Sequence, residues 1–515
     1  MHHALEIQEI FCNILFYCYQ SYLTAQERKQ ALAVPTLAAL ARTCRTFKEP
    51  ALDLLWRDLD DSSPLARCLP EASHRLSIGS VYSFNRPLTL IEWDIFRSYT
   101  HRIHAIRNFE SGLDWGSVAT FLDPPATEPL FPNLRKILGC ACTKQTMALL
   151  HLPLPSLVFL GVVFESLHLL KSFPNFSPNI TWLHIRVREL EDTFIEIEPS
   201  YIARWQNLRF LICRQLALDM DALMHLSRLP ALIRLEFALN APLPPSDTPL
   251  FFSRMHEMNL HSRFLEPILC WLSQSRLPAI VRFSASVDSC SSNQDLTSFL
   301  AGVPMCNASH TVETLTLRQS YYPPDGVHPP EGLRLCSNNL RPWMVFKNLR
   351  HIELDIDSNV DLTDTEMLTL ASAWPQLTRL LINEAWGWKS HGGITPGALV
   401  RLLETCRSLE QIALAIDTRG YTQVPPGQTQ GNLGLTLPPG CLINAVDSII
   451  EVESVPAVVS FFSGLGACCE VDFCFQAWDG TWMTWSPRYE EQVSRWSNVE
   501  RQIDDALGRR SEPGD

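Results

Sequence analysis

A short apolar pattern recurs along most of this chain, from Pro132 to residue 414. Each copy has a large apolar residue, two variable positions, a second apolar residue, one variable position and, in most copies, a third apolar residue. Residues 155–162 and 348–354 are clear examples. Alternation with a period of two is typical of a strand that buries one face. The pattern therefore predicts a series of short, similar strands.

The spacing of the copies indicates how these strands are joined. Their first apolar residues lie 23 to 37 residues apart and are Leu134, Leu157, Ile180, Leu208, Leu232, Met255, Ile280, Val312, Leu349, Leu377 and Leu409. The spacer at residues 219–229 has a helical pattern. Such strands, recurring every ~20–30 residues with helices between them, are the signature of leucine-rich repeats, whose units bury their apolar faces against one another.

We therefore predict an α/β fold in which residues 129–466 form a degenerate leucine-rich-repeat-like solenoid, with parallel strands on the concave face. The repeats lack the invariant asparagine, so a generic α/β fold is the alternative. Two longer spacers, 320–342 and 420–440, are rich in proline and glycine and are predicted loops, either beside the binding surface or as surface decoration. Residues 467–515 are expected to cap the array with a hairpin (470–475 and 482–485) and a polar helix (487–507).

A different pattern occupies the N-terminus. Residues 1–60 predict three short helices, the first with an apolar stripe, the second ending at Cys44-Arg45-Thr46-Phe47 and the third at Leu55-Trp56. Pro50 fits the first turn of a helix, where no N–H donor is needed. Residues 61–128 are predicted to be a helical linker that caps the start of the array.

These N-terminal residues resemble the F-box, and the run Glu49-Pro50-Ala51-Leu52-Asp53 with Leu55-Trp56 is similar to F-box-like chains of mushroom-forming fungi. The usual opening proline is missing, and the connection at 17–35 is longer than in compact F-boxes. The resemblance implies a substrate-receptor subunit of an SCF-type E3 ubiquitin ligase, which bridges a Skp-type adaptor of a cullin-based ligase and a protein substrate. The alternative is a leucine-rich-repeat scaffold outside any ligase, whose N-terminal helices only pack on the rest of the chain.

The resemblance also implies roles for individual residues. By position, the adaptor-binding residues are Leu5, Ile7, Ile10, Ile14, Leu40, Cys44 and Phe47. Leu55 and Trp56 are expected to form the core of the helical module instead.

Composition narrows the function classes. In 515 residues, 46% are hydrophobic and 19% charged, so the chain can bury a core and is not disordered as a whole. The net charge of −13, without a basic stripe, disfavours nucleic acid and anionic membranes as partners. No signal or membrane-spanning pattern occurs, so we expect a cytoplasmic or nuclear protein. The 16 cysteines are scattered and are expected to act as small hydrophobic residues.

No catalytic or cofactor motif was found, so we expect neither enzymatic activity nor a cofactor or metal. Residues 355–366 have the spacing of an EF-hand loop, but Val360 occupies the position that requires glycine. Thr363 and Glu366 instead predict a capping box at the start of a helix.

The candidate substrate-binding residues are Trp386 and Trp388, which flank a glycine in a predicted loop. Tryptophan is enriched among residues that dominate protein interfaces. Packing beneath the adjacent insertion is the alternative.

Overall fold

The structure is a computed structural model that describes the single residues Asn13 and Leu169 and the following ranges: 30–77, 81–109, 111–115, 129–143, 153–166, 179–188, 195–196, 205–246, 248–290, 292–306, 310–320, 332–389, 393–423, 441–465, 469–472 and 487–507. Four predicted adaptor-binding residues, Leu5, Ile7, Ile10 and Ile14, lie outside the described residues. So do the second strand of the predicted C-terminal hairpin, residues 321–331 of the first predicted loop and residues 424–440 of the second. The loop prediction is wrong for the end of the first segment, where Arg334–Cys336 is a strand and Ser337–Leu340 a short helix.

The described N-terminal part is a pair of helices, α1 (Gln30–Thr43) and α2 (Arg45–Leu55). Between them, Cys44 has an extended backbone with φ of −156°, which separates the two helices. Leu37 and Phe47 are the buried centre of the pair, and Leu40, Cys44, Leu54 and Leu55 pack against them. An apolar contact between two amphipathic helices therefore holds this pair together.

The chain divides into two compact units, Met1–Thr193 with Pro199–Gln215, and Phe194–Glu198 with Leu216–Asp515. The first unit also contains α3 (Ser63–Arg67), α4 (Leu90–Thr100) and a 3-10 turn, Glu71–Ser73. The strands up to the division are β1 (Asp58–Asp61), β2 (His74–Ser77), β3 (Val81–Phe84), β4 (Ala105–Asn108), β5 (Lys136–Gly139), β6 (Ala141–Cys142), β7 (Phe159–Phe164), β8 (Trp182–Val187), β9 (Ile195–Glu196) and β10 (Phe210–Ala217).

The sheet of the first unit is parallel, and its strands lie in the order β1, β4, β5, β7, β8 and β10. One apolar residue from each strand occupies the same register position: Leu59, Ile106, Ile137, Leu160, Leu183 and Leu211. All six side chains are buried. Burial of this row against its neighbours explains why these short segments become strands.

This sheet begins earlier than the sequence predicted. Residues 61–128, predicted as a helical linker, contain α3 and α4 but also the antiparallel hairpin β2–β3 and the repeat strand β4. The pattern was missed because β1 reads Asp-Leu-Asp-Asp, with a single apolar residue, and the segment at β4 has only Ile103 and Ile106 in frame. The linker prediction is therefore corrected to a mixed segment that includes strands of the sheet.

The second unit alternates strands with helices. Its helices are α5 (Met220–Ser227), α6 (Leu265–Gln274), α7 (Asn293–Cys306), α8 (Ser337–Leu340), α9 (Asp364–Ala373), α10 (Pro396–Thr405), α11 (Val455–Gly464) and α12 (Pro487–Leu507), with 3-10 turns at Arg341–Val345 and Val452–Ser454. Its further strands are β11 (Arg234–Leu239), β12 (Leu250–Phe251), β13 (Glu257–Ser262), β14 (Ser275–Arg276), β15 (Arg282–Val287), β16 (Thr314–Gln319), β17 (Arg334–Cys336), β18 (His351–Asp355), β19 (Asn359–Asp361), β20 (Arg379–Ile382), β21 (Gln411–Ala413), β22 (Cys441–Asn444) and β23 (Cys469–Asp472).

The main sheet of the second unit has parallel neighbours in chain order, β11, β13, β15, β16, β18, β20, β21, β22 and β23. Two registered rows point into the core. One row contains Leu235, Met258, Phe283, Leu315, Ile352, Leu380, Ile412 and Ile443, and the other contains Phe237, Leu260, Ala285, Leu317, Leu354 and Ile382. Each predicted copy of the pattern supplies one strand that pairs in parallel with its neighbours, so the leucine-rich-repeat-like solenoid is confirmed.

Local signals in the sequence set several helix ends. Asp219 caps α5 by accepting a hydrogen bond from the Ala222 N–H at 2.8 Å. Thr363 and Glu366 form the predicted capping box of α9. Satisfying these otherwise unpaired N–H groups stabilises a helix start by about 1 kcal/mol.

The C-terminal segment continues the same sheet. β23 pairs with β22 in parallel, where the sequence analysis predicted the first strand of a hairpin. The polar helix α12 is present at the predicted residues and buries Trp496, whose indole Nε1 donates to the Ser448 carbonyl at 2.7 Å. In the described part of the chain, no helix combines the length and apolar character needed to cross a membrane.

Candidate functional site

The outward face of the second unit's main sheet carries three registered rows of side chains between β11 and β18. The first row is Arg234, Glu257, Arg282, Thr314 and His351. The central row is Glu236, Asn259, Ser284, Thr316 and Glu353. The third row is Ala238, His261, Ser286, Arg318 and Asp355. Polar residues therefore occupy almost every variable position of the repeat on this face.

One group of polar contacts is centred on Glu236, whose side chain is only 1% exposed. Its carboxylate lies 3.2 Å from Arg234 Nη2 and 3.3 Å from His261 Nε2, and it accepts a hydrogen bond from Asn259 Nδ2 at 3.3 Å. A buried carboxylate requires such partners, because an unpaired buried charge is strongly destabilising. One residue of the same strand and two of the neighbouring strand thus hold the buried Glu236 carboxylate in place.

A second group is centred on Glu353, whose side chain is 8% exposed. Arg318 binds both of its oxygens, with Nη2 at 2.7 Å from Oε2, and His351 Nε2 lies 3.4 Å from Oε2. Burial acts against ionisation, but the hydrogen bonds from His351 and Arg318 outweigh it and keep the pKa of Glu353 below its usual value. Glu353 is therefore a buried anion that orients Arg318.

Between these two groups the side chains are short. Ser284, Ser286 and Thr316 supply hydroxyl groups, and the two buried carboxylates lie four strands apart, roughly 19 Å at ~4.8 Å per strand. On either side of these hydroxyl groups, Arg282 and Arg318 extend outward, with 63% and 59% of their side chains exposed. We name this surface, defined by the three rows, the strand face.

Asp355 ends the third row in a different environment. Burial raises its pKa to about 6, and the nearby Glu353 and Glu384 add to the increase, although the Ala385 N–H donates to it at 3.0 Å. The strand face thus contains a carboxyl group that titrates close to neutral pH.

Trp386 and Trp388, predicted to contact substrate, are instead core residues with 4% and 0% exposure. The indole Nε1 of Trp388 donates to the Ile382 carbonyl at 2.9 Å. The Asp447 carboxylate accepts the backbone N–H groups of Trp388 and Lys389, each at 2.8 Å. Gly387 has φ of 75°, and a Cβ there would lie 2.7 Å from Asp447 Oδ2. The prediction was wrong because this tightly held loop directs both indoles inward.

The predicted adaptor-binding residues of the helix pair differ in exposure. Phe47 is 7% exposed and packs against Leu37, so its side chain is core in the described helices, and a surface role is incorrect for it. Leu40 and Cys44 are half-buried at the edge of the same cluster. Val34, which the sequence analysis did not single out, is 46% exposed on α1. Its neighbours Leu32, Ala33 and Pro35 are also apolar, so the local sequence gives no signal of this exposure.

The predicted core residues Leu55 and Trp56 are both half-buried. Leu55 packs against the Leu37–Phe47 cluster as predicted. Trp56 packs on Tyr99 of α4, with ring centroids 4.3 Å apart, so it joins the helix pair to α4. Arg102 reinforces this junction by binding Glu49 and Asp53 of α2.

Metal-binding groups and grooves add little to the candidate site. Among the described residues, no group of three or more His, Cys, Asp or Glu side chains is arranged to hold a metal ion. A groove of about 420 Å³ lies between the turns 217–221 and 239–244. The carboxylate of Asp219 in this groove already caps α5.

The strand face was missed by the sequence analysis, although a signal for it existed. Residues such as Arg234, Glu236 and Glu353 occupy the variable positions of the apolar pattern, where the alternation points side chains outward. Aromatic residues such as Trp386 are a more conspicuous signal than these charged positions.

No protein-family profile and no curated protein matches this chain. Among solved structures it is similar to an internalin, InlF, from Listeria monocytogenes, with a TM-score of 0.32 and 13% identity over 63% of this chain and 82% of that one. A TDR receptor gives a TM-score of 0.30 and 12% identity, over 72% of this chain and 56% of the receptor. The Arabidopsis receptor kinase HAESA, in complex with the peptide hormone IDA and the co-receptor SERK1, gives 0.32 and 12%, over 77% and 66%. Because these TM-scores are low, the fold is assigned from the strand order and register alone.

Proposed function

We propose that this chain is the substrate-receptor subunit of an SCF-type E3 ubiquitin ligase. The N-terminal helices would bind a Skp-type adaptor of a cullin-based ligase, and the strand face would bind a protein substrate. In this proposal the chain performs no chemistry itself. It raises the effective concentration of substrate lysines near the ubiquitin-charged enzyme.

One observation carries the proposal. The residues of the F-box-like pattern, from Leu40 through Cys44 and Phe47 to Leu55, form one helix pair with a common apolar cluster. Trp56 and Arg102 attach that pair to the first unit through α4 and the turn that follows it. The N-terminal helices are therefore one module that is anchored within the first unit.

The test is co-precipitation of the full-length chain with a purified Skp-type adaptor. The double variant Leu5→Ala with Ile10→Ala removes two residues assigned to the adaptor contact. Truncating an anchor residue typically costs at least ~2 kcal/mol, so we expect a loss of about thirtyfold in affinity. Phe47 is unsuitable for this test, because its removal would disturb the buried centre of the helix pair.

A matched control is Leu76→Ala with Leu138→Ala, two exposed leucines outside the N-terminal helices. This control should retain full adaptor binding. If the Leu5–Ile10 variant also retains it, the ligase proposal fails, and a repeat scaffold outside any ligase becomes the better explanation of the fold.

A further inference from the structure

Charges on the strand face are sorted by depth. The carboxylates of Glu236 and Glu353 are almost fully buried, the side chain of Glu257 is only 19% exposed, and Asp355 is half-buried. In contrast, most of the side chains of Arg282 and Arg318 is exposed. A partner approaching the rows between β13 and β18 therefore meets guanidinium groups first, although the whole chain has a net charge of −13.

The guanidinium group of Arg318 is ordered by its contacts with Glu353 in a position to bind an anion. Its Nε and Nη2 groups bind the two oxygens of Glu353, and Nη1 has no partner among the described residues. A guanidinium fork fixed in this way keeps one donor-bearing nitrogen pointing away from the buried acid. Because the side chain is already ordered, binding through this nitrogen costs less conformational entropy than binding through a free arginine.

Arg282 completes the arrangement at the other end of the neighbouring strand. Only its Nη1 has an acceptor in the described part of the chain, Glu257 Oε2 at a distance of 3.4 Å. Arg282 pairs in register with Thr314, and Arg318 pairs with Ser286. The two arginines therefore lie at opposite ends of β15 and β16, with the hydroxyl groups of Ser284, Ser286 and Thr316 between them.

We propose that the strand face binds an acidic peptide segment of a partner protein. The carboxylates of the peptide would bind Arg282 and Arg318, and its polar groups would contact the hydroxyl groups between these arginines. This inference rests on the proposed function, because it names the class of substrate that the receptor takes. The distance between the arginines favours an extended segment: four residues along a strand span ~13 Å, so carboxylates about four residues apart in the peptide match the two sites.

The experiment measures binding of fluorescent twelve-residue peptides to the full-length chain by anisotropy. One peptide has glutamates at every fourth position among serine and glycine, a second has glutamine at those positions, and a third has lysine. We expect saturable binding of the glutamate peptide alone, weakening as salt is raised. Arg282→Gln should weaken it about tenfold, the effect of losing one hydrogen bond between charged groups.

Arg419→Gln is the matched control. Arg419 also binds a carboxylate with two nitrogens, that of Asp417, but it lies outside the three rows. This variant should bind the glutamate peptide with unchanged affinity. Arg318→Gln should lose affinity like Arg282→Gln, and circular dichroism checks that the fold survives once Glu353 has lost this partner. Arg282→Gln keeps the test decisive, because Glu257 is less deeply buried.

Equal binding of all three peptides, or equal loss in Arg419→Gln, would overturn the inference. Tighter binding of a single-stranded oligonucleotide with the same number of charges would also overturn it, because the face would then be a nucleic-acid site. Adaptor co-precipitation is measured on the same samples. If the unsubstituted chain binds the adaptor but not the glutamate peptide, this inference alone is refuted. If it binds the glutamate peptide but not the adaptor, the proposed ligase role alone is refuted.

Discussion

Two regions of the second unit are candidates for the binding surface, the tryptophan loop and the strand face. They differ in whether the residue type predicts which side chains are exposed. The loop with Trp386 and Trp388 has the residue type most often found at interfaces, yet both indoles are buried. The strand face has ordinary charged and hydroxyl residues, yet two of its arginines are largely exposed. Position within the repeat therefore indicates a surface better than residue type does.

The physical cause lies in the backbone. On the strand face, the pleat of the sheet sends alternate side chains outward, so exposure follows from the repeat pattern. In the tryptophan loop, no such period applies. Hydrogen bonds from Trp388 and Lys389 to Asp447, 59 and 58 residues away in sequence, fix the loop instead.

The largest expected effect on stability is in the buried tryptophan loop. Trp388→Ala should lower the free energy of unfolding by about 3–5 kcal/mol, because it leaves a cavity and removes the donor to the Ile382 carbonyl. Urea denaturation followed by far-UV circular dichroism measures this. A change below about 1 kcal/mol would mean that the indole is not core and would restore the tryptophans as contact residues.

Removal of the loop's anchor should have a smaller effect. Asp447→Ala leaves the N–H groups of Trp388 and Lys389 without their acceptor, so we expect a loss of about 1–3 kcal/mol. The same denaturation series checks it. Peptide binding at the strand face should stay intact in this variant, and its loss would show that the two regions are coupled.

Asp355 gives the strand face a pH dependence. Burial raises its folded-state pKa from 3.8 to about 6, so below pH 6 and above 3.8 the folded state holds more proton at this site than the unfolded state. Ionised Asp355 therefore lowers the stability of the folded state fully above pH 6, and this loss becomes smaller as the pH falls towards 3.8.

Asp355→Asn should accordingly stabilise the protein at pH 7, by about 1–2 kcal/mol once solvent screening is allowed for. The advantage should shrink towards pH 4, where Asp355 is already protonated in the folded state. Thermal unfolding of both proteins at pH 4, 5, 6 and 7 tests this. An advantage that grows as pH falls would contradict the sign.

The smallest stability effect is expected for Arg282→Gln. Its side chain is mostly exposed and its ion pair with Glu257 is long, so the unfolding free energy should change by less than about 0.5 kcal/mol. Urea denaturation measures this alongside the tryptophan variants. Comparable losses in Arg282→Gln and Trp388→Ala would remove the distinction between a binding face and a core loop.

The sequence predicted the repeat strands well, because each carries two or three apolar residues whose burial on one face decides the conformation. It failed at β1, where Leu59 is the single apolar residue and pairing with β4 supplies the rest. Phe47 was misplaced because the helix pair buries it against Leu37, a contact between separate helices that local pattern does not encode.

The candidate site was less predictable than the fold. Arg234 and Glu257 are far apart in sequence, and only the register of β11 and β13 brings them to 3.2 Å. The raised pKa of Asp355 depends on burial and on Glu353 and Glu384, so it needs the folded neighbourhood. The single positions were visible as charged variable residues, but their grouping was not.

The most direct test of the proposed receptor function is a titration of the purified full-length chain with a purified Skp-type adaptor, followed by isothermal calorimetry. We predict a saturable complex with one adaptor per chain, lost in the Leu5→Ala, Ile10→Ala variant and kept in Arg282→Gln. Absence of saturable binding by the unsubstituted chain would contradict the assignment of its N-terminal helices to a ubiquitin ligase.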